Sequence, residues 1–160
     1  MIPVSSDARV DLIASDWAVP ALAILFDSDF APGSFYHICA GPGQGLTIEE
    51  MIDVMLAIFE NHPMARRWLP LRVPEFVSLD CYEHFVERNR SCNDALLKEL
   101  LKVLGYFLPH LALFQVFENQ GTLKTLAKSG LGLSSTKINF EKVVRYCLET
   151  NWGSRCSKYS

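Results

Sequence analysis

Long hydrophobic runs are missing from the sequence. The longest one extends from Trp17 to Phe26, which is too short to cross a bilayer and is interrupted by Pro20. No basic segment precedes an apolar one near the start, so the pattern of a secretory signal peptide is absent as well. We therefore expect a cytoplasmic protein without a membrane span.

Paired cysteines and clustered histidines are also lacking. The five cysteines are scattered and none belongs to a CxxC pair, which indicates reduced thiols. The four histidines lie far apart in the sequence, at positions 37, 62, 84 and 110. Zinc motifs need closely spaced pairs of ligands, so the sequence predicts no metal site. No serine lies in a nucleophile elbow either.

An excess of positive charge is the third absence. The formal net charge is −3, which does not favour a nucleic-acid partner. What is present is ample apolar material, because 49% of the 160 residues are hydrophobic. That is enough for one folded domain with a core, and it argues against disorder.

The stretch from position 34 to 61 has the clearest local pattern. Residues Phe35 to Cys39 form an apolar run rich in strand-favouring side chains, so we predict a buried β-strand there. Thr47 and Glu50 are spaced as a capping box, which predicts the start of a helix with one apolar face. A strand that leads into a helix is one unit of an α/β sheet.

Three glycines, at positions 41, 43 and 45, connect the predicted strand and helix. Glycine-rich turns of this kind bind dinucleotide phosphates in many enzymes. Here the third glycine comes one position early, and no second strand with an acidic residue follows. We therefore favour a structural turn and expect no cofactor to be bound by this chain alone.

The pattern changes after Asn61, where Pro63, Pro70 and Pro74 exclude a long helix. We place a boundary here. Residues 1–62 contain the predicted strand and helix, and residues 63–160 are predicted to form a helical subdomain. The strongest helical pattern starts at Asn93 or Asp94, carries leucines every three or four residues, and ends at Pro109. The predicted fold class is mainly α with one or two short β-strands.

Two groups of side chains are candidates for binding. Arg66 and Arg67 suit a phosphate, because guanidinium forms two parallel hydrogen bonds with it, although a solvated loop is the simpler interpretation. His37 alternates with apolar neighbours on the predicted strand, where a satisfied structural histidine is favoured over a catalytic one. A second set suits the wall of an apolar pocket, with plain core as the simpler interpretation, and consists of Tyr106, Phe107, His110, Phe114 and Phe117.

Several short motifs occur in a recognisable order. A valine–aspartate pair ends at Asp11, Asp16 and Trp17 then open a helix, and Tyr36 with His37 forms an aromatic–histidine pair. Further matching residues are Phe117, Glu118, Asn119, Thr122, Leu123, Tyr146, Asn151, Trp152 and Gly153. In this order the chain resembles the C-terminal part of extended short-chain dehydrogenases/reductases, in the branch of thioester reductases and fatty acyl reductases.

The resemblance implies a Rossmann domain upstream in the same protein, which binds NADP through a glycine-rich turn and supplies a catalytic Tyr-xxx-Lys pair. No tyrosine of this chain has a lysine four positions later. The resemblance therefore implies the C-terminal fragment of an α/β Rossmann-type reductase that is not catalytic alone. Residues 1–62 would be the terminal strand–helix units of its Rossmann-like sheet. Its helical subdomain would bind the substrate, an acyl thioester or another carbonyl compound.

The resemblance also implies partners and roles for the candidate residues. An acyl carrier or a coenzyme A thioester would deliver the substrate, and Arg66 and Arg67 would meet the phosphate of its arm. The aromatic set would line the apolar part of the pocket. The alternative is a small helical protein-interaction domain without catalytic activity, in which a partner strand pairs with the edge of Phe35 to Cys39.

Overall fold

The computed structural model describes residues 1–28, 33–63, 73–111 and 116–152, in the fourth helix without the side chains at 96, 107 and 109–111. In this part of the chain there are six helices and one two-stranded sheet. The strands are β1 (Arg9–Val10) and β2 (Leu46–Thr47). The helices are α1 (Ser15–Phe26), α2 (Ile48–Asn61), α3 (Leu79–Arg88), α4 (Ala95–Leu111), α5 (Gln120–Ala127) and α6 (Thr136–Glu149). The predicted class, mainly α with short strands, is confirmed.

The predicted strand from Phe35 to Cys39 is wrong, because this segment is irregular and pairs with no strand. Phe35 is 87% exposed, so its apolar side chain is not buried either. The strand that leads into α2 is β2, which pairs antiparallel with β1 and aligns Val10 with Leu46. Within the described residues the one parallel pairing is an isolated bridge between Ile2 and Phe76.

Helix α2 lies at the centre of the packing and begins as predicted. The Thr47 hydroxyl accepts from the Glu50 amide at 3.1 Å, and the Glu50 carboxylate accepts from the Thr47 amide at 2.8 Å, which completes the capping box. One side of α2 packs Ile52 against the N-terminal segment. The other side packs Val54 and Ile58 against Val144 and Leu148 of α6.

Helix α1 is continuous from Ser15 to Phe26, although Pro20 lies inside it. Its buried side consists of Trp17, Ala21 and Leu25, which pack with Leu126 of α5. Helix α1 contacts α5, and α2 contacts α6, so both contacts join the range 1–62 to the range 63–160. The division at residue 62 itself stays a prediction.

Helix α4 starts as predicted, since the Asp94 carboxylate accepts from the Leu97 amide at 3.0 Å. The predicted end at Pro109 is wrong, because the helix continues to Leu111. A proline inside a helix loses its backbone donor and crowds the carbonyl four residues earlier, which weakens or kinks a helix without always ending it. The leucine stripe of α4 is incompletely covered, and Leu100 is 50% exposed.

Candidate functional site

Three segments that are distant in the sequence meet beside the start of α1. The segment from His37 to Gly41 lies between Asp11 and the N-terminal end of α5. The two carboxylate oxygens of Asp11 accept from the backbone amides of Ala40 and Gly41, at 2.7 and 3.1 Å. A carboxylate that accepts two adjacent amides fixes the direction of the backbone between them.

Asn119 and Thr122 hold the same segment from the other side. The Asn119 carboxamide is 4% exposed, and its nitrogen donates to the carbonyls of Cys39 and Ala40 at 2.9 and 3.0 Å. The Thr122 hydroxyl donates to the His37 carbonyl at 3.0 Å. Three side chains therefore satisfy five backbone groups of this segment. We name this arrangement the 37–41 clamp: Asp11, Asn119, Thr122 and the segment they hold.

Gly41 is the position of the clamp where the backbone requires glycine. Its φ is +76°, where side chains are rarely tolerated. A Cβ built at this position would lie 2.5 Å from Oδ1 of Asn119. The interpretation of these glycines as a structural turn therefore has a physical reason at Gly41.

His37 lies on the exposed rim of the clamp. Its Nδ1 is 2.9 Å from the Glu118 carbonyl, which can only accept, so Nδ1 carries the proton and donates. In the neutral ring Nε2 then presents a lone pair. The imidazole also meets the Phe117 ring edge-on, with centroids 5.4 Å apart. His37 thus has the satisfied hydrogen bond expected of a structural histidine, but it is exposed rather than buried among apolar neighbours.

Cys39 lies on the inner side of the clamp. It is buried, and its Sγ lies 3.5 Å from the Phe117 carbonyl. Burial, and then the nearby negative charge of Asp11, raise the pKa of this thiol above its usual value of 9.0. The thiol is therefore protonated at neutral pH, which makes it a packing residue and not a nucleophile. Cys39, Cys81, Cys92 and Cys147 are free, while Cys156 lies outside the described residues.

The candidate binding residues from the sequence are only partly described. Phe117 lies at the rim of the clamp beside His37, and Tyr106 lies on α4; both are exposed. Phe107 and His110 belong to α4 without described side chains. Phe114, Arg66 and Arg67 lie outside the described residues. The aromatic pocket and the phosphate contact therefore stay predictions.

Sequence reasoning did not identify Asp11, Asn119 and Thr122 as residues that act together. Their spacing gives no local signal, because the hydrogen bonds of Asn119 and Thr122 reach back by 79 to 85 residues. The one available signal is that all three occur among the residues on which the family resemblance depends. The resemblance thus includes these positions but does not indicate that they act together.

A second feature is the exposed apolar side of α1. Val19, Leu22 and Phe26 follow one another at helical spacing on the side away from the buried Trp17, and all three are exposed. Phe26 is 83% exposed, and Phe35 is similarly uncovered. A helix that is apolar on every side is typical of one covered from both sides. We refer to Val19, Leu22 and Phe26 as the α1 face.

No family model, curated protein or solved structure matches this chain. Among the residues that the structure describes, no three metal-binding side chains lie close enough together to hold an ion. No helix in the same ranges has the length and apolarity needed to cross a membrane.

Proposed function

We propose that this chain is the substrate-binding C-terminal region of an NADP-dependent short-chain reductase. The substrate would be an acyl thioester or another carbonyl compound. A Rossmann domain upstream in the same protein would bind the cofactor and supply the Tyr-xxx-Lys pair, so this chain would not be catalytic alone.

The 37–41 clamp is the observation that carries this proposal. The residues of the resemblance are spread over more than a hundred positions, yet Asp11, His37, Asn119 and Thr122 are joined through one short segment by hydrogen bonds. Unrelated residues that matched a family by chance would have no reason to converge in this way. Convergence supports a shared architecture, in which the clamp sets the position of the His37 and Phe117 rim.

The α1 face supports the second half of the proposal, a domain that precedes this one. Its three apolar side chains lie in solvent in the isolated chain. Exposed apolar groups that are contiguous, unlike scattered ones, usually mark a surface covered in the complete protein. A neighbouring domain packed against α1 would bury its second side.

The experiment is to measure the intact mass of the endogenous protein with an antibody against this chain. A mass far above 18.0 kDa is expected, with upstream peptides that contain a glycine-rich turn and a Tyr-xxx-Lys pair. The isolated chain should not oxidise NADPH in the presence of an aldehyde. Turnover by the isolated chain would contradict the claim that the catalytic groups lie elsewhere.

The alternative is a small helical interaction domain without catalysis, and the α1 face favours it equally. An endogenous mass near 18.0 kDa would remove the cofactor domain and leave this alternative in the lead. The resemblance would then describe ancestry, and the α1 face would be the surface for a separate partner.

A further inference from the structure

We draw no further inference here: the strongest candidate, the open apolar cleft of about 440 Å³ between α3 and α4 that is lined by Val86, Leu101 and Leu108, carries none because nothing in the structure shows what covers it.

Discussion

The clamp makes a sharp prediction for Asn119. In Asn119→Ala the carbonyls of Cys39 and Ala40 lose their common donor, and both carbonyls belong to buried residues. Leaving a buried acceptor unpaired costs about 1–3 kcal/mol, so we expect the free energy of unfolding to fall by about 2–4 kcal/mol. A domain of this size has a total of about 5–15 kcal/mol, so the loss should be large in urea unfolding followed by circular dichroism.

Asn61→Ala is the matched control. The Asn61 carboxamide also donates to a backbone carbonyl, that of Ala57 at 2.8 Å, but it is exposed near the end of α2. Water replaces such a donor, so the control should change the free energy of unfolding by no more than about 0.5 kcal/mol. If Asn119→Ala costs no more than Asn61→Ala, the clamp is not a source of stability and the reasoning is refuted.

Gly41 allows a second, independent check by a double-mutant cycle. Gly41→Ala places a Cβ against the Asn119 carboxamide and must displace it, so both hydrogen bonds to the carbonyls are lost together. In the Asn119→Ala background this clash no longer exists, and only the strain of a positive φ remains, about 1–2 kcal/mol. The two changes should therefore cost less together than the sum of the separate costs. Additive costs would show that Asn119 is not what fills the space beside Gly41.

Three further predictions concern other parts of the molecule. Tyr82→Phe should raise the free energy of unfolding by about 1 kcal/mol, because it removes a buried hydroxyl that has no partner among the described residues. Folding raises the pKa of Tyr82 above 10.0, so the wild type should lose stability as the pH rises past that value, and Tyr82→Phe should lack this contribution. Urea unfolding at neutral and alkaline pH would measure both effects. The Thr47 amide holds the pKa of the Glu50 carboxyl below 4.5. The stability that this carboxylate contributes is therefore present above that pH and is lost as the pH falls below it. Glu50→Gln should not show this loss when its stability is measured across the acid range. Leu22→Asp should change the free energy of unfolding of the isolated chain by no more than about 0.5 kcal/mol, as should the exposed control Val143→Asp. Of the two, only Leu22→Asp should weaken the packing of the proposed upstream domain. A large loss of stability in the isolated chain would place Leu22 in the core instead.

The sequence predicted the starts of α2 and α4 correctly, but it did not predict the hydrogen bonds between distant segments. The capping box of Thr47 and Glu50 and the Asp94 cap depend on residues three positions apart, so their chemistry is visible in the sequence. The segment after Phe35 has strand-favouring side chains, but strand formation needs a neighbour whose backbone is free to pair. Here the carbonyls of His37, Cys39 and Ala40 already accept hydrogen bonds from Asn119 and Thr122, which lie some eighty residues later.

The same limit applies to burial. The leucine spacing of α4 correctly predicts one apolar side, yet it cannot predict how much of that side another element covers. Leu100 is half exposed, and the cleft beside Leu101 is open because α3 does not close over it. Nothing near Tyr82 in the sequence predicts that its buried hydroxyl has no hydrogen-bond partner among the described residues.

The clamp also bears on which surface a partner would use. An added strand at Phe35 to Cys39 would need free backbone groups there, but the carbonyls of His37 and Cys39 already accept from Thr122 and Asn119. Releasing them would cost about 1–3 kcal/mol each before any new bond formed. The α1 face requires no such rearrangement, because its apolar side chains are already in solvent. Whether the partner is an upstream domain or a separate protein, α1 is therefore the side on which contact costs least.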